Sequence, residues 1–160
     1  MDKHNPIEEA EKVVNNYNNK PLIKIHSSNR AYYSPVKDLV VVPKKEQFQS
    51  INEYYLVFFH ELAHSTGHIK RLSRKDLYSS GFGSEEYSRE ELVAELAAAM
   101  LAGTCGIETE STIENNAAYI NSWLRVLKND VRLVVKASSQ AQKAADYILA
   151  GEVRDVGISA

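Results

Sequence analysis

Apolar residues recur along this chain in two rhythms. From the start the spacing is helical: Ile7, Ala10, Val13, Val14 and Tyr17 share one face, which predicts a first helix over "NPIEEAEKVVNNY", closed by "NNKP". Short runs rich in β-branched and aromatic residues follow, "LIKIH" (Leu22 to His26), "RAYYS" (Arg30 to Ser34) and "DLVVVP" (Asp38 to Pro43). With "SSN" and "PVK" as turns between them, they predict a small antiparallel three-stranded meander. The helical rhythm then returns. Ser50 and Glu53 have the spacing of a capping box, Ile51, Tyr55, Phe59, Leu62 and Thr66 repeat at helical intervals, and Gly67 is a natural stop.

A second long helix is expected from near Ser84 or Ser88 to Leu101, across a turn-like "FGSEEYS" that joins it to the first. A third opens at Ser111 and Glu114, and a fourth runs through "VRLVVKASSQAQKAADYIL" after "ND". Trp123, Leu124, Leu127, Val131, Val134 and Val135 have the spacing of the seam between those last two helices. Gly151 then closes the fourth helix and leaves 151–160 as a loose tail. Strands first and helices afterwards is the α+β pattern, and the whole of 1–160 reads as a single domain with its core at about 7–150.

Composition narrows the setting. With 44% hydrophobic and 25% charged residues the chain has the make-up of a globular domain, and its longest apolar runs fall well short of the ~20 residues of a membrane span. The start lacks the basic-then-apolar layout of a secretory signal, so a cytoplasmic location is expected. The single cysteine, Cys105, excludes an internal disulfide and a cysteine-based metal cluster, and reads as a small buried thiol. A net charge of −2 disfavours a nucleic-acid-binding module. The local cluster Lys70, Arg71, Arg74 and Lys75 reads as a solvated helix end.

One stretch breaks the rule that polar residues avoid apolar segments. "YYLVFFHELAHSTGHIKRL" places His60, Glu61 and His64 inside the most hydrophobic part of the chain. On a helix, His60 and His64 stand one turn apart on the same face, close enough for both imidazoles to ligate one ion, and Glu61 lies beside it, within reach of a metal-bound water. Imidazole is a favoured ligand of zinc, and a catalytic zinc needs a third protein ligand. His68 is displaced from the helix by Gly67, whereas Glu91 and Glu95 lie four apart on the next long helix in apolar surroundings. Glutamates there need a partner, and either can complete the site. Glu90 points about 100° away and reads as solvated.

The segment Glu91-Leu92-Val93-Ala94-Glu95 resembles the carboxylate-bearing helix of gluzincins, the thermolysin-like zinc peptidases. That likeness implies Glu91 as third ligand and Glu95 as the acceptor of a ligating histidine's second N–H. More widely, "RAYYSP", "HELAHSTGHIKRL", "FGSEEYSREELVAELAAAML", "AAYINSWLRVLKND" and "AQKAADYIL" resemble, in that order, the C-terminal domain of plasmid-encoded ArdC-type antirestriction proteins. The resemblance implies a bacterial zincin-like metallopeptidase domain associated with mobile elements, holding one Zn2+ ion and acting on a protein or peptide substrate. Complete members carry an N-terminal domain that binds single-stranded DNA; nothing here corresponds to it, so the chain is expected to be either an excised domain or a natural short form.

The implied chemistry makes Glu61 the general base and leaves an oxyanion stabiliser to be found. Tyr87, one turn before Glu91, is the first candidate, ahead of His68 and Arg89. The competing reading is a zinc-stabilised interaction module without peptidase turnover.

Overall fold

A computed structural model describes residues 3–78, 84–107, 118 and 121–158, with the backbone alone from 152 onward. Helix α1 (Glu8–Asn16) leads into strands β1 (Leu22–His26), β2 (Tyr32–Ser34) and β3 (Leu39–Pro43). Helix α2 (Ile51–Ser65), a short 3₁₀ turn (Lys75–Tyr78) and helix α3 (Glu85–Thr104) follow. Residues 121–126 are helical (α4), and α5 (Val131–Ile158) ends the described chain. The α+β architecture is the one expected. The opening of the third expected helix, at Ser111 and Glu114, and the "FG" of the loop before α3 lie outside the described residues.

The sheet corrects the expected meander. Its order is β1-β3-β2, with β1 parallel to β3 from Leu22↔Leu39 to His26↔Pro43, and β2 antiparallel to β3. The strand directions are those of a meander, but β3 has slotted between the other two. Its run of valines explains this: Val40, Val41 and Val42 are all buried, whereas β1 is largely exposed. A strand apolar at successive positions needs cover on both faces, and its central place adds a neighbouring strand along each edge. β2 is left at an edge, beside α2.

α2 is a core helix. Ser50 Oγ accepts the amide N–H of Glu53 (3.2 Å), one half of the capping box; the Glu53 carboxylate turns instead to the Gln49 amide (3.2 Å). Tyr54, Tyr55, Phe58, Phe59 and Leu62 pack with Ala10, Val13, Val14 and Tyr17 of α1, Val40 and Val42 of β3, and Ile148 of α5. The other side of the molecule is a seam of small residues, Ala94 and Ala97 on α3 with Ala137, Ala141 and Ala144 on α5, joined by Ala63 and Leu127. Small side chains let α3 and α5 approach closely, and Ala63 brings α2 against the same seam.

Two expectations at the C-terminal end change. Trp123, Leu127 and Val134 join the second core, but Val131 and Val135 face outward. Left-handed Lys128 and Asn129 turn the chain there, and Leu133 and Ala137 take the inner positions. The backbone also stays helical to Ile158 rather than ending at Gly151 in a loose tail. Gly151 is buried against α1, where an added Cβ would overlap the Asn16 carbonyl oxygen; it serves close approach, not termination.

Candidate metal centre

The site forms where α2 and α3 face each other. His60 Nε2 and His64 Nε2 are 3.1 Å apart. The Glu91 carboxylate bridges them, Oε2 lying 3.3 Å from His60 Nε2 and Oε1 3.0 Å from His64 Nε2. Ligand atoms around a tetrahedral ion with bonds of about 2.0–2.1 Å stand about 3.3 Å from one another, so these spacings fit one small divalent cation. His60, His64 and Glu91 also form the group of metal-ligating side chains found among the described residues.

Local charge favours a cation at the same point. Burial opposes a charged His60, yet Glu91 and Glu95 beside it raise its pKa to about 10. Burial opposes a charged His64 too, and Glu90 and Glu91 raise it nonetheless. Burial likewise works against ionising Glu91, but the two histidines hold its carboxyl far below the usual carboxylate range.

Glu95 sits at the opposite nitrogen of His60, with Oε1 2.8 Å from Nδ1. The contact is close but off the hydrogen-bond axis, so Nδ1 has no aligned partner among the described residues. Glu91 and Glu95 therefore differ in place: one faces both Nε2 atoms, the other the far side of His60. Glu61 is buried next to the histidines, and burial is the main cause of its raised pKa; His64 and His60 oppose the shift while Glu91 and Glu95 add to it.

A cleft of about 390 Å³ opens in front, lined by Ala31, Tyr32 and Tyr33 of the β2 side and by His60, Glu61, Tyr87 and Glu91. Tyr87 thus reaches the same space as the metal group, and burial, then Glu91 and Glu61, push its phenol pKa up. A second recess lined by Leu56, Val57 and Glu95 shares Ala31, His60 and Glu61 with the first and so adjoins it. The weaker candidates are engaged elsewhere: His68 Nδ1 accepts the Lys70 amide (3.1 Å), and Arg89 pairs with Asp76 (3.0 Å).

Two residues read as solvated belong to the site. Glu90 is 5% exposed; its Oε1 accepts the Nδ1–H of His64 (3.2 Å), and both its oxygens accept from Arg74. Burial disfavours its charge, but His64 and Arg74 hold its carboxyl below the ordinary range. Within the basic cluster only Lys70 and Lys75 are exposed. Arg74 is buried on Glu90, and the guanidinium of Arg71 is buried on Asp38 (2.8 Å). The chain doubles back after Gly67, which carries both arginines inward. The available signal was residue type, since arginine's planar fork suits buried carboxylate pairs and lysine's ammonium does not.

The family described as zincin-like metallopeptidase matches residues 8–140. The chain belongs to that family. Among solved structures, this zincin-like domain resembles the antirestriction ArdC protein of plasmid R388 in its Mn(II)-bound form, with a TM-score of 0.73 and 36% identity over 93% of this chain and 54% of that one. The metal-free form of that protein matches with a TM-score of 0.71 and 34% identity, over 95% of this chain and 53% of that one. A DNA primase TraC of Escherichia coli is 40% identical over 81% of this chain and 9% of its own length. An uncharacterized protein y4eC of Sinorhizobium fredii is 39% identical over 77% of this chain and 39% of its own. The chain thus spans about half of the solved relative and far less of the primase. The expected resemblance to ArdC-type antirestriction proteins holds, and His60, His64 and Glu91 form a group that could hold a divalent metal. No helix among the described residues is long and apolar enough to cross a membrane.

Proposed function

We propose that this domain is a zinc-dependent peptidase in which His60, His64 and Glu91 hold one ion and Glu61 is the general base. The observation that carries this is the placement of Glu61, buried at the floor of an open groove beside all three metal-ligating groups. An ion bound there supplies Lewis acidity toward a scissile carbonyl and acidifies water.

The remaining work falls to the chain. Glu61 accepts the proton of the attacking water and returns it to the leaving amine; a carboxylate whose pKa is raised by burial suits both halves of that transfer. Tyr87, kept protonated by its raised pKa, donates to the carbonyl oxygen as negative charge develops. Glu95 steadies His60 from the side away from the ion. β2 pairs with β3 on one side only, and its other edge, next to the groove, offers backbone donors and acceptors to an extended peptide. We infer a protein or peptide substrate in the bacterial cytoplasm, in the setting of an antirestriction protein, with any contact to single-stranded DNA made through a separate domain.

An interaction module merely stabilised by metal is less well supported. The ArdC relative resembles this chain nearly equally with and without its metal, which speaks against an ion that holds the fold together. The test is Glu61→Gln. Peptide hydrolysis should fall by ~10²–10⁴ while metal content, read by elemental mass spectrometry, is unchanged. Turnover that survives Glu61→Gln sinks the mechanism. Parallel Glu91→Ala and Glu95→Ala variants assign the third ligand, with loss of metal expected for the first and retention for the second.

A further inference from the structure

Building on the metal-binding part of that reading, we propose that Arg74 and Glu90 are a positioning pair that presents His64 to the ion, so that the two histidines are supported unequally. The His60 support, Glu95, is 40% exposed and off-axis. The His64 support is buried and fully engaged. Glu90 Oε1 receives the Nδ1–H of His64 at 3.2 Å and Arg74 Nη2 at 2.7 Å, while Oε2 receives Arg74 Nε at 3.0 Å.

Arg74 is in turn anchored on the end of α2, with Nη1 donating to Thr66 Oγ1 (2.6 Å) and Nη2 to the Ala63 carbonyl (2.9 Å). The consequences for His64 are specific. A proton held on Nδ1 by a carboxylate leaves Nε2, the nitrogen nearest Glu91, as the ligand atom, and strengthens it as a donor. A lone carboxylate buried at this depth is costly, and the bidentate guanidinium offsets that cost while fixing the plane of the carboxylate. The pair therefore gives His64 a buried, aligned support, which the exposed and off-axis Glu95 does not give His60.

A merely structural role predicts something different. Buried ion pairs can often be replaced by apolar side chains of similar size with little change in stability. The experiment therefore combines Arg74→Met with Glu90→Leu and measures zinc affinity by competition with a chromophoric chelator, alongside melting of the metal-free protein. A positioning role predicts an apo protein that still melts cooperatively but binds zinc about 10–100-fold more weakly, with a smaller loss in Glu95→Gln. Should the double variant fail to fold, Glu90→Gln is read in the same way, with about tenfold weaker binding expected. Zinc bound within twofold of wild type by either variant overturns the proposal and leaves the pair structural. A wild-type protein that binds no zinc removes the metal reading itself, a separate and recognisable outcome.

Discussion

Replacing Gly151 by alanine should destabilise this protein, and the sign of the effect is the informative part. Helix propensity alone predicts the reverse, because glycine inside a helix costs about 1 kcal/mol relative to alanine. The packing outweighs that gain. A Cβ at position 151 would overlap the Asn16 carbonyl oxygen and lie 2.8 Å from its carbonyl carbon and 3.3 Å from Asn18 Cγ. Carbon atoms pack at about 3.5–4.0 Å and the overlap with the oxygen is tighter still, so the backbones of α1 and α5 must part by more than about 1 Å. That movement loosens the contact of Ala145 and Ile148 with Ala10, Val13 and Tyr17. Overpacking of this kind costs about 1–3 kcal/mol, occasionally more, against which propensity returns about 1. For a domain of this size each kcal/mol lowers Tm by about 2–4 °C, and the expected drop is a few degrees. Thermal melts read by circular dichroism, with urea midpoints as a check, decide it. A Tm that rises in Gly151→Ala refutes the reasoning, and with it the passage of α5 across α1.

The other expectations are briefer. Tyr87→Phe should lower kcat by ~10²–10³ with metal content and Tm unchanged; an unaltered kcat takes the phenol out of the chemistry. Burial works to raise the Asp38 pKa, but Arg71 and Tyr33 hold it below its ordinary value. Its stabilising contribution is therefore complete above the unfolded pKa of about 3.9 and lost as pH falls through the lower folded value. Asp38→Asn should accordingly be less stable than wild type at neutral pH, the gap closing below about pH 4 in urea melts; a gap that widens toward acid contradicts the pairing. Ser50→Ala should cost ~1 kcal/mol, a fall in Tm of a few degrees, through the lost cap on α2.

What could be read in advance was whatever repeats within one element. The face shared by His60 and His64, the four-residue step from Glu91 to Glu95, and the cap at Ser50 all follow from local geometry, and the structure has them; of the two starts open for α3, Ser84 or Ser88, it takes Ser84. Sheet order did not follow, because a run of valines shows that a strand is buried without saying which strands flank it. Glu90 was misplaced for a related reason. Its angle from Glu91 on the helical wheel was correct, but that direction leads into protein. α3 is wrapped by α2, α5 and the loop after Gly67, with Leu92, Val93 and Ala94 buried around it. A wheel gives a bearing and not what lies along it.

Gly67 shows where the local reading stops. It ends α2 as its type suggests, the last helical residue being Ser65. Yet a Cβ there would lie 2.9 Å from Arg74 Nη2 and 3.0 Å from its Cζ. The residue that halts the metal-bearing helix thus also makes room for the guanidinium that returns to clamp it. Any side chain at 67 pushes on Arg74, and through Glu90 the displacement arrives at His64 Nδ1. Spacing can announce the ligands, because they sit on helices. The support proposed for them comes from a loop that crosses back over the helix end, and only the folded chain shows that a glycine outside the motif makes room for it.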